Sequence, residues 1–171
     1  MENLKFDFVF LGQSVLKYQV PLDIFATINQ IYEQNFHNLA PANGQLVGKI
    51  ENEHSLFYHG KDQTKMQNHN MLPKNVTDYF MTVFKHYLAF NKIKEYETHL
   101  NSIWVNEMKQ HEYNPAHIHR GMLFTGLSSV MMLKLPSTYG KEYSAEHIQQ
   151  NGRLQILGAA NGQFVRIDYQ P

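Results

Sequence analysis

Two segments in the first half of the chain have apolar residues at helical spacing, and strand-like runs follow in the second half. The stronger helical pattern occupies residues 73–90 after Pro73, and a weaker one occupies residues 21–36 after Pro21. An apolar stripe at helical spacing marks a helix with one buried face, and proline is favoured near helix starts. The pattern therefore predicts two amphipathic helices that act as core-facing scaffold. Their stripe residues are Ile24, Phe25, Ile28, Ile31, Tyr32, Val76, Phe80, Val83, Phe84, Tyr87 and Leu88.

The second half is rich in short apolar runs bounded by Gly, Asn and Pro. The segment Ala160-Asn161-Gly162 predicts a hairpin turn, because Asn-Gly tolerates positive φ angles. Residues 59–70 are polar and aperiodic, which indicates a surface loop. Helices first and strands later predict an α+β domain, with helices bracing one face of a β-sandwich or barrel. The predicted strands are residues 100–108, 116–119, 123–135, 153–158 and 163–169.

Composition limits the classes of function. The chain has 171 residues, which suits one domain, and its 15 Lys and Arg balance its 15 Asp and Glu. This balance gives no electrostatic reason to expect nucleic acid or a membrane as partner. There is no cysteine, no apolar run near the ~20 residues of a membrane span, and no secretory pattern at the start. We therefore expect a soluble, cytoplasmic protein in which any metal is held by His, carboxylate or water.

The motif with most chemical content is Asn114-Pro115-Ala116-His117-Ile118-His119-Arg120-Gly121. Alternate residues of a strand share a face, so a strand here would bring the two imidazoles together. Neutral imidazole is the commonest transition-metal ligand, so His117 and His119 are candidate metal ligands. The alternative is a polar strand rim whose histidines make ordinary hydrogen bonds.

Other candidate ligands are weaker. Glu107 and Glu112 are near the pair in sequence, but neither has compelling geometry. His111 is expected to be exposed in a loop, and His147 on a surface turn or short helix. No Ser-His-Asp set, phosphate-binding Gly loop or basic aromatic surface stands out. The remaining histidines show no ligand spacing: His37, His54, His59, His69, His86 and His99.

Four further motifs accompany the 114–121 motif: Trp104-Val105-Asn106-Glu107-Met108, Phe124-Thr125-Gly126-Leu127-Ser128-Ser129, Leu133-Lys134-Leu135-Pro136 and Asn151-Gly152-Arg153-Leu154-Gln155-Ile156-Leu157-Gly158. Together these motifs resemble the 2-oxoglutarate/Fe(II)-dependent oxygenases. The nearest branch is the prolyl-4-hydroxylase-like set that is frequent in marine cyanophages and their hosts. The resemblance covers residues 100–169 well and the helical half more loosely. It implies a single domain, residues 1–171, with a double-stranded β-helix (jelly roll, cupin-like) braced by N-terminal helices. Residues 1–98 would be a helical support region with edge strands, and residues 99–171 the jelly-roll core.

The resemblance also implies a site. Such oxygenases bind Fe(II) through His-x-Asp or His-x-Glu and a distant His, and use 2-oxoglutarate as co-substrate. His117 takes the first His position, and His119 stands where the carboxylate is usual. Asn106, eleven residues before His117, matches an Asn that contacts 2-oxoglutarate in related oxygenases. A buried Asn bonded to backbone is the alternative for Asn106.

Members of this family continue beyond the equivalent of Pro171, with the distal His and the Arg that pairs with 2-oxoglutarate. We therefore expect a C-terminally shortened jelly roll that lacks its last strands, has impaired activity, and forms a homo-oligomer through an exposed sheet edge. The substrate would be a prolyl or other peptide side chain, and the location the host cytoplasm if the gene is viral. One alternative is a non-enzymatic jelly-roll binding or structural module with a vestigial metal site. Another is zinc bound with ligands from a partner chain.

Overall fold

The structure is a computed structural model that describes residues 4–10, 14–43, 48–60, 66–117, 126–138, 152–160 and 163–169. It is a mixed α+β structure with two helices and several antiparallel sheets, as the sequence predicts. By its internal contacts the chain divides into two compact units. Unit 2 is Val20–Ile118, and unit 1 combines Met1–Gln19 with His119–Pro171.

The two predicted helices are present in unit 2, close to their predicted bounds. Helix α1 is Leu22–Asn35 and α2 is Lys74–Phe90, each preceded by a proline in extended conformation. The C-terminus of α2 is closed by two backbone bonds, from Lys92 N to Ala89 O and from Ile93 N to Leu88 O. Lys92 takes a φ of 59° there, which is the left-handed residue of a Schellman motif. Among the described residues, neither helix has the length and apolarity needed to cross a membrane.

The buried apolar residues of the described chain all lie in unit 2. Both helices contribute one face to this core, and the stripe positions Phe80, Phe84 and Tyr87 are half-buried at its margin. The core therefore confirms the scaffold role predicted for the stripes. Its members are Ile24, Ile28, Leu39, Ile50, Leu56, Leu72, Val76, Tyr79, Val83 and Leu88.

A four-stranded antiparallel sheet in unit 2 is organised around one strand. Strand β4 (Asn52–Tyr58) pairs along one edge with β6 (Ser102–Glu107). Along its other edge it pairs with two short strands in succession, β3 (Ala40–Pro41) and β5 (His69–Asn70). The register with β6 shifts between Ser55 and Phe57, so Leu56 is the extra residue of a β-bulge. The bulge explains why the neighbours Ser55 and Leu56 are both buried, although adjacent strand residues normally face opposite sides.

Unit 1 contains two antiparallel ladders. Strand β1 (Phe6–Phe10) pairs with β2 (Ser14–Tyr18), and β7 (Leu154–Ala160) pairs with β8 (Gln163–Tyr169). Because Ala160 pairs with Gln163, the β7–β8 hairpin predicted around Asn-Gly is confirmed, while residues 161 and 162 lie outside the described residues.

Several expectations about strands are wrong. Ala116 and His117 belong to no strand, and neither do residues 126–135, although both stretches were predicted to be strands. Residues 118–119 and 123–125 lie outside the described residues. The polar segment 59–70 ends in β5, so it is not a loop throughout. Strands β1 and β2 precede α1, and β3, β4 and β5 lie between α1 and α2, so the order is not helices first and strands later.

Candidate functional site

The imidazole of His117 is exposed and held in one orientation by its own loop. Its Nδ1 lies 2.8 Å from the carbonyl oxygen of Pro115. A carbonyl can only accept, so Nδ1 carries the proton and donates it. In the neutral ring the lone pair is then on Nε2. Metal-binding histidines usually have this arrangement, with the second ring nitrogen donating to a carbonyl or carboxylate.

The loop that carries His117 is fastened to the segment before β4. Lys49 and Tyr113 exchange two backbone bonds of 2.9 and 3.1 Å. Gly48 makes this approach possible, since a Cβ there would lie 2.2 Å from the Tyr113 carbonyl oxygen and 2.9 Å from a ring carbon of Pro115. A side chain at position 48 would therefore push away the residue whose carbonyl orients His117.

Glu112 strengthens the same connection. Its Oε1 accepts the Glu51 N–H at 2.9 Å, and its Oε2 accepts the Lys109 N–H at 2.7 Å. These backbone bonds, that of Lys109 foremost, hold the pKa of the Glu112 carboxyl below its usual range. Glu112 thus links two loops through backbone hydrogen bonds. Both of its carboxylate oxygens have this structural role, whereas the sequence had suggested Glu112 as a possible metal ligand. His111, exposed as predicted, has a φ of 68° in the turn closed by the Glu112 N–H.

The other candidate residues are placed as follows. His119 lies outside the described residues. Asn106 is exposed on β6, opposite Glu53 of β4, so it is not the buried, backbone-bonded Asn of the alternative. Glu107 accepts a 2.8 Å hydrogen bond from the Asn52 amide. Within the described ranges, no three His, Asp or Glu side chains come together as a metal-binding group.

A serine and a histidine that the sequence analysis did not connect are in direct contact. His69 on β5 places Nε2 at 2.9 Å from the Ser55 hydroxyl oxygen on β4. Its Nδ1 lies 2.9 Å from the Gln67 carbonyl oxygen, so Nδ1 donates and Nε2 of the neutral ring accepts from Ser55. The hydroxyl has a second acceptor, the Phe57 carbonyl, at the longer distance of 3.4 Å. The shorter bond to the imidazole is favoured while His69 is neutral.

The Ser55–His69 pair lines a cleft of about 410 Å³ in unit 2. The cleft lies at the edge of β4 where β3 ends and β5 begins, beside the bulge. Ser55 is only 2% exposed, although it belongs to the cleft wall. The lining residues within the described part of the chain include no acidic, Lys or Arg side chain; they are Asn38, Leu39, Ala40, Ser55, Met66, Gln67, Asn68, His69 and Met71.

A buried carboxyl precedes Ser55 on the strand by two residues. Glu53 is 7% exposed, and its Oε2 has no hydrogen-bond partner among the described residues. Burial raises the pKa of the Glu53 carboxyl, because the charged form loses its hydration.

A second buried polar cluster joins α1 to the sheet. The Tyr32 hydroxyl and His54 Nδ1 are both buried and have no hydrogen-bond partner among the described residues. Phe36 lies against His54 with its ring centroid 4.7 Å away, in an edge-to-face arrangement. Burial, and then the charge of Glu107, raise the pKa of Tyr32 to about 12. The phenol therefore stays protonated at neutral pH.

The spacing of Ser55 and His69 in the sequence does not predict their contact. Ser55 and His69 are 14 residues apart and meet only because β5 pairs with β4. One signal is present: His69-Asn70 ends a polar segment, and two residues separate it from Pro73, the proline that precedes α2. The chain matches no protein-family model, no curated protein and no solved structure.

Proposed function

We propose that this chain is a 2-oxoglutarate/Fe(II)-dependent dioxygenase, a hydroxylase of prolyl or other peptidyl side chains, whose iron binds to His117 and His119. One observation carries the proposal: the 2.8 Å hydrogen bond from His117 Nδ1 to the Pro115 carbonyl, which puts the ring proton on Nδ1 and the lone pair on Nε2, the atom that we assign to the metal. The family resemblance of residues 104–136 supports the same assignment.

The donor chemistry is compatible with this metal. Imidazole nitrogen suits Fe(II), and His117 offers one such nitrogen on a loop fastened by Glu112 and the Lys49–Tyr113 bonds. His119 is proposed as the second ligand, and the remaining ligands are assigned to groups outside the described residues. Bound Fe(II) and 2-oxoglutarate would together supply the oxidation chemistry, in which O₂ gives one oxygen atom to succinate, formed with carbon dioxide from 2-oxoglutarate, and the other to the hydroxylated side chain. Asn106 would donate an amide hydrogen bond to the co-substrate.

The proposal also covers architecture, assembly and location. Residues 99–171 would form a double-stranded β-helix in which β7–β8 is one hairpin, in a cytoplasmic protein. Among the described strands, β7 and β8 pair only with each other, so each has an edge that could pair with a second copy. Light scattering at high protein concentration should then give a dimer or larger assembly. A clean monomer would contradict this assembly.

Metal binding is the direct test. Co(II) added to the purified chain should give the visible absorption of an imidazole-bound ion, and His117→Ala should remove it. His111→Asn is the matched control, because it removes an exposed imidazole from the same loop while asparagine tolerates the φ of 68° at this position, and it should leave the spectrum unchanged. Fe(II)- and 2-oxoglutarate-dependent succinate formation that also requires His117 supports the oxygenase. Metal binding without succinate would instead identify a binding module, and absence of metal binding would overturn the proposed site.

A further inference from the structure

We propose that Ser55 and His69 form a second, metal-independent site that hydrolyses small uncharged esters, with Ser55 as the nucleophile and His69 as the general base. This activity is separate from the oxygenase proposal, because its residues lie on β4 and β5 and its chemistry needs no metal.

The contacts match the arrangement of an activated serine. Such a site needs a hydroxyl within hydrogen-bond reach of a base, and a third group that orients the base. Ser55 Oγ lies 2.9 Å from His69 Nε2, and the Gln67 carbonyl orients the ring by accepting from Nδ1 at 2.9 Å. In a Ser-His-Asp triad the third group is a carboxylate. A neutral carbonyl fixes the same tautomer but stabilises the imidazolium less, so we expect slow turnover.

The cleft indicates the class of substrate. A volume of about 410 Å³ is within the range of small-molecule sites. Leu39, Ala40, Met66 and Met71 give it an apolar wall. Its described lining residues carry no acidic, Lys or Arg side chain, which favours a neutral ligand. The flexible methionines can adapt to acyl chains of different shape.

Two amide side chains in the cleft could stabilise the charge that develops on the ester oxygen. Asn38 and Asn68 are both among the lining residues. The Asn68 Oδ1 accepts the Gly60 N–H at 3.1 Å, so its Nδ2 is the end that can donate. An amide donor of this kind contributes strongly when it is aimed at a developing oxyanion.

The reaction is ordinary acyl transfer to water. Ser55 Oγ bonds to the ester carbonyl carbon while its proton moves to His69 Nε2. The bond to the alcohol oxygen then breaks, and the alcohol leaves with that proton. Water, the second substrate, next attacks the acyl-serine and gives its proton to His69. The ester C–O bond to Ser55 breaks, the proton returns to Ser55 Oγ, and a carboxylic acid is released.

A fluorophosphonate probe tests the nucleophile without relying on a variant. We expect one equivalent to attach to the wild-type chain, with peptide mass mapping placing it on Ser55. Hydrolysis of p-nitrophenyl acetate should accompany it, and Ser55→Ala should lower that rate by about 100-fold or more. His69→Gln should slow both labelling and hydrolysis. His59→Gln should change neither, because the exposed His59 imidazole directly follows the end of β4 and is not among the lining residues of the cleft.

EDTA separates this site from the proposed metal site. Labelling of Ser55 that persists in EDTA, in wild type and in His117→Ala, supports an independent ester site even if the oxygenase proposal fails. No label on Ser55, or label on another residue, would overturn the proposal, since the 2.9 Å contact would then be only a packing hydrogen bond. Hydrolysis of p-nitrophenyl acetate at the wild-type rate by a folded Ser55→Ala variant would also overturn the proposal.

Discussion

The bulged residue Leu56 should be among the most costly side chains to shorten. It is 0% exposed, and it sits in the one strand through which the four-stranded sheet of unit 2 is joined. Leu56→Ala removes three buried carbons, each worth about 0.8 kcal/mol of transfer free energy, and leaves a cavity. The two effects together give a loss of about 3 kcal/mol in the free energy of unfolding, within the 2–5 kcal/mol typical of this substitution.

Leu22→Ala is a matched control because the same atoms are removed from a leucine that is 85% exposed in the first turn of α1. We expect it to change stability by less than about 0.5 kcal/mol. Urea unfolding can follow the fluorescence of the single tryptophan, Trp104, which pairs with Ser55 across the sheet and is 37% exposed. At about 4–8 °C per kcal/mol for a unit of this size, the Leu56 variant should also melt roughly 12–24 °C lower. A Leu56 loss below about 1 kcal/mol, or equal losses for both leucines, would refute the assignment of this core.

Three further substitutions test separate features. Because burial raises the folded pKa of Glu53 above its unfolded value of 4.5, its stability contribution is fully present below pH 4.5 and is lost as pH rises through the folded pKa. In urea titrations, Glu53→Gln should therefore become progressively more stable relative to wild type as pH rises above 4.5, and a difference that stays constant with pH would contradict this. Lys92→Gly should raise the free energy of unfolding by about 0.5–1 kcal/mol, because glycine accepts the φ of 59° at the end of α2 without strain, whereas Lys94→Gly should give no gain. Gly48→Ala should lower both stability and Co(II) affinity, because the added Cβ meets the Tyr113 carbonyl; unchanged affinity in calorimetry would show that this contact does not position His117.

Local patterns predict part of this fold well. The helices could be bounded from sequence because prolines 21 and 73 precede apolar stripes, and the β7–β8 hairpin because an Asn-Gly turn joins two apolar runs. These signals act within a few residues, where chain geometry determines the outcome.

The sequence analysis did not predict strand β4, and the reason is physical. A half-buried strand is recognised by alternation of apolar and polar residues, but Asn52–Tyr58 buries Glu53 and Ser55 and then bulges at Leu56. The contact of Ser55 with His69 was missed with it, since it depends on the partner of a strand that carries no pattern. At residues 116–119 a strand was predicted where the structure has none at His117. The spacing of two histidines suggested the strand, but His117 lies in a loop whose path depends on Gly48 and Pro115.

The central position of β4 also bears on the order in which unit 2 folds. Asn52 and Glu107, which bond across β4 and β6, are 55 residues apart, and α2 lies in the chain between them. Closing a loop of that length costs conformational entropy before any contact repays it, and a preformed helix shortens the flexible part. We therefore expect α2 to form early and the β4–β6 pairing to be the late, rate-limiting event. Pulse-labelling hydrogen exchange should protect the amides of α2 before those of β4, and the opposite order would disprove this sequence of events. Strands β3, β5 and β6 all pair with β4, so they would join the sheet when β4 does. The sheet of unit 2 would then form in one cooperative step.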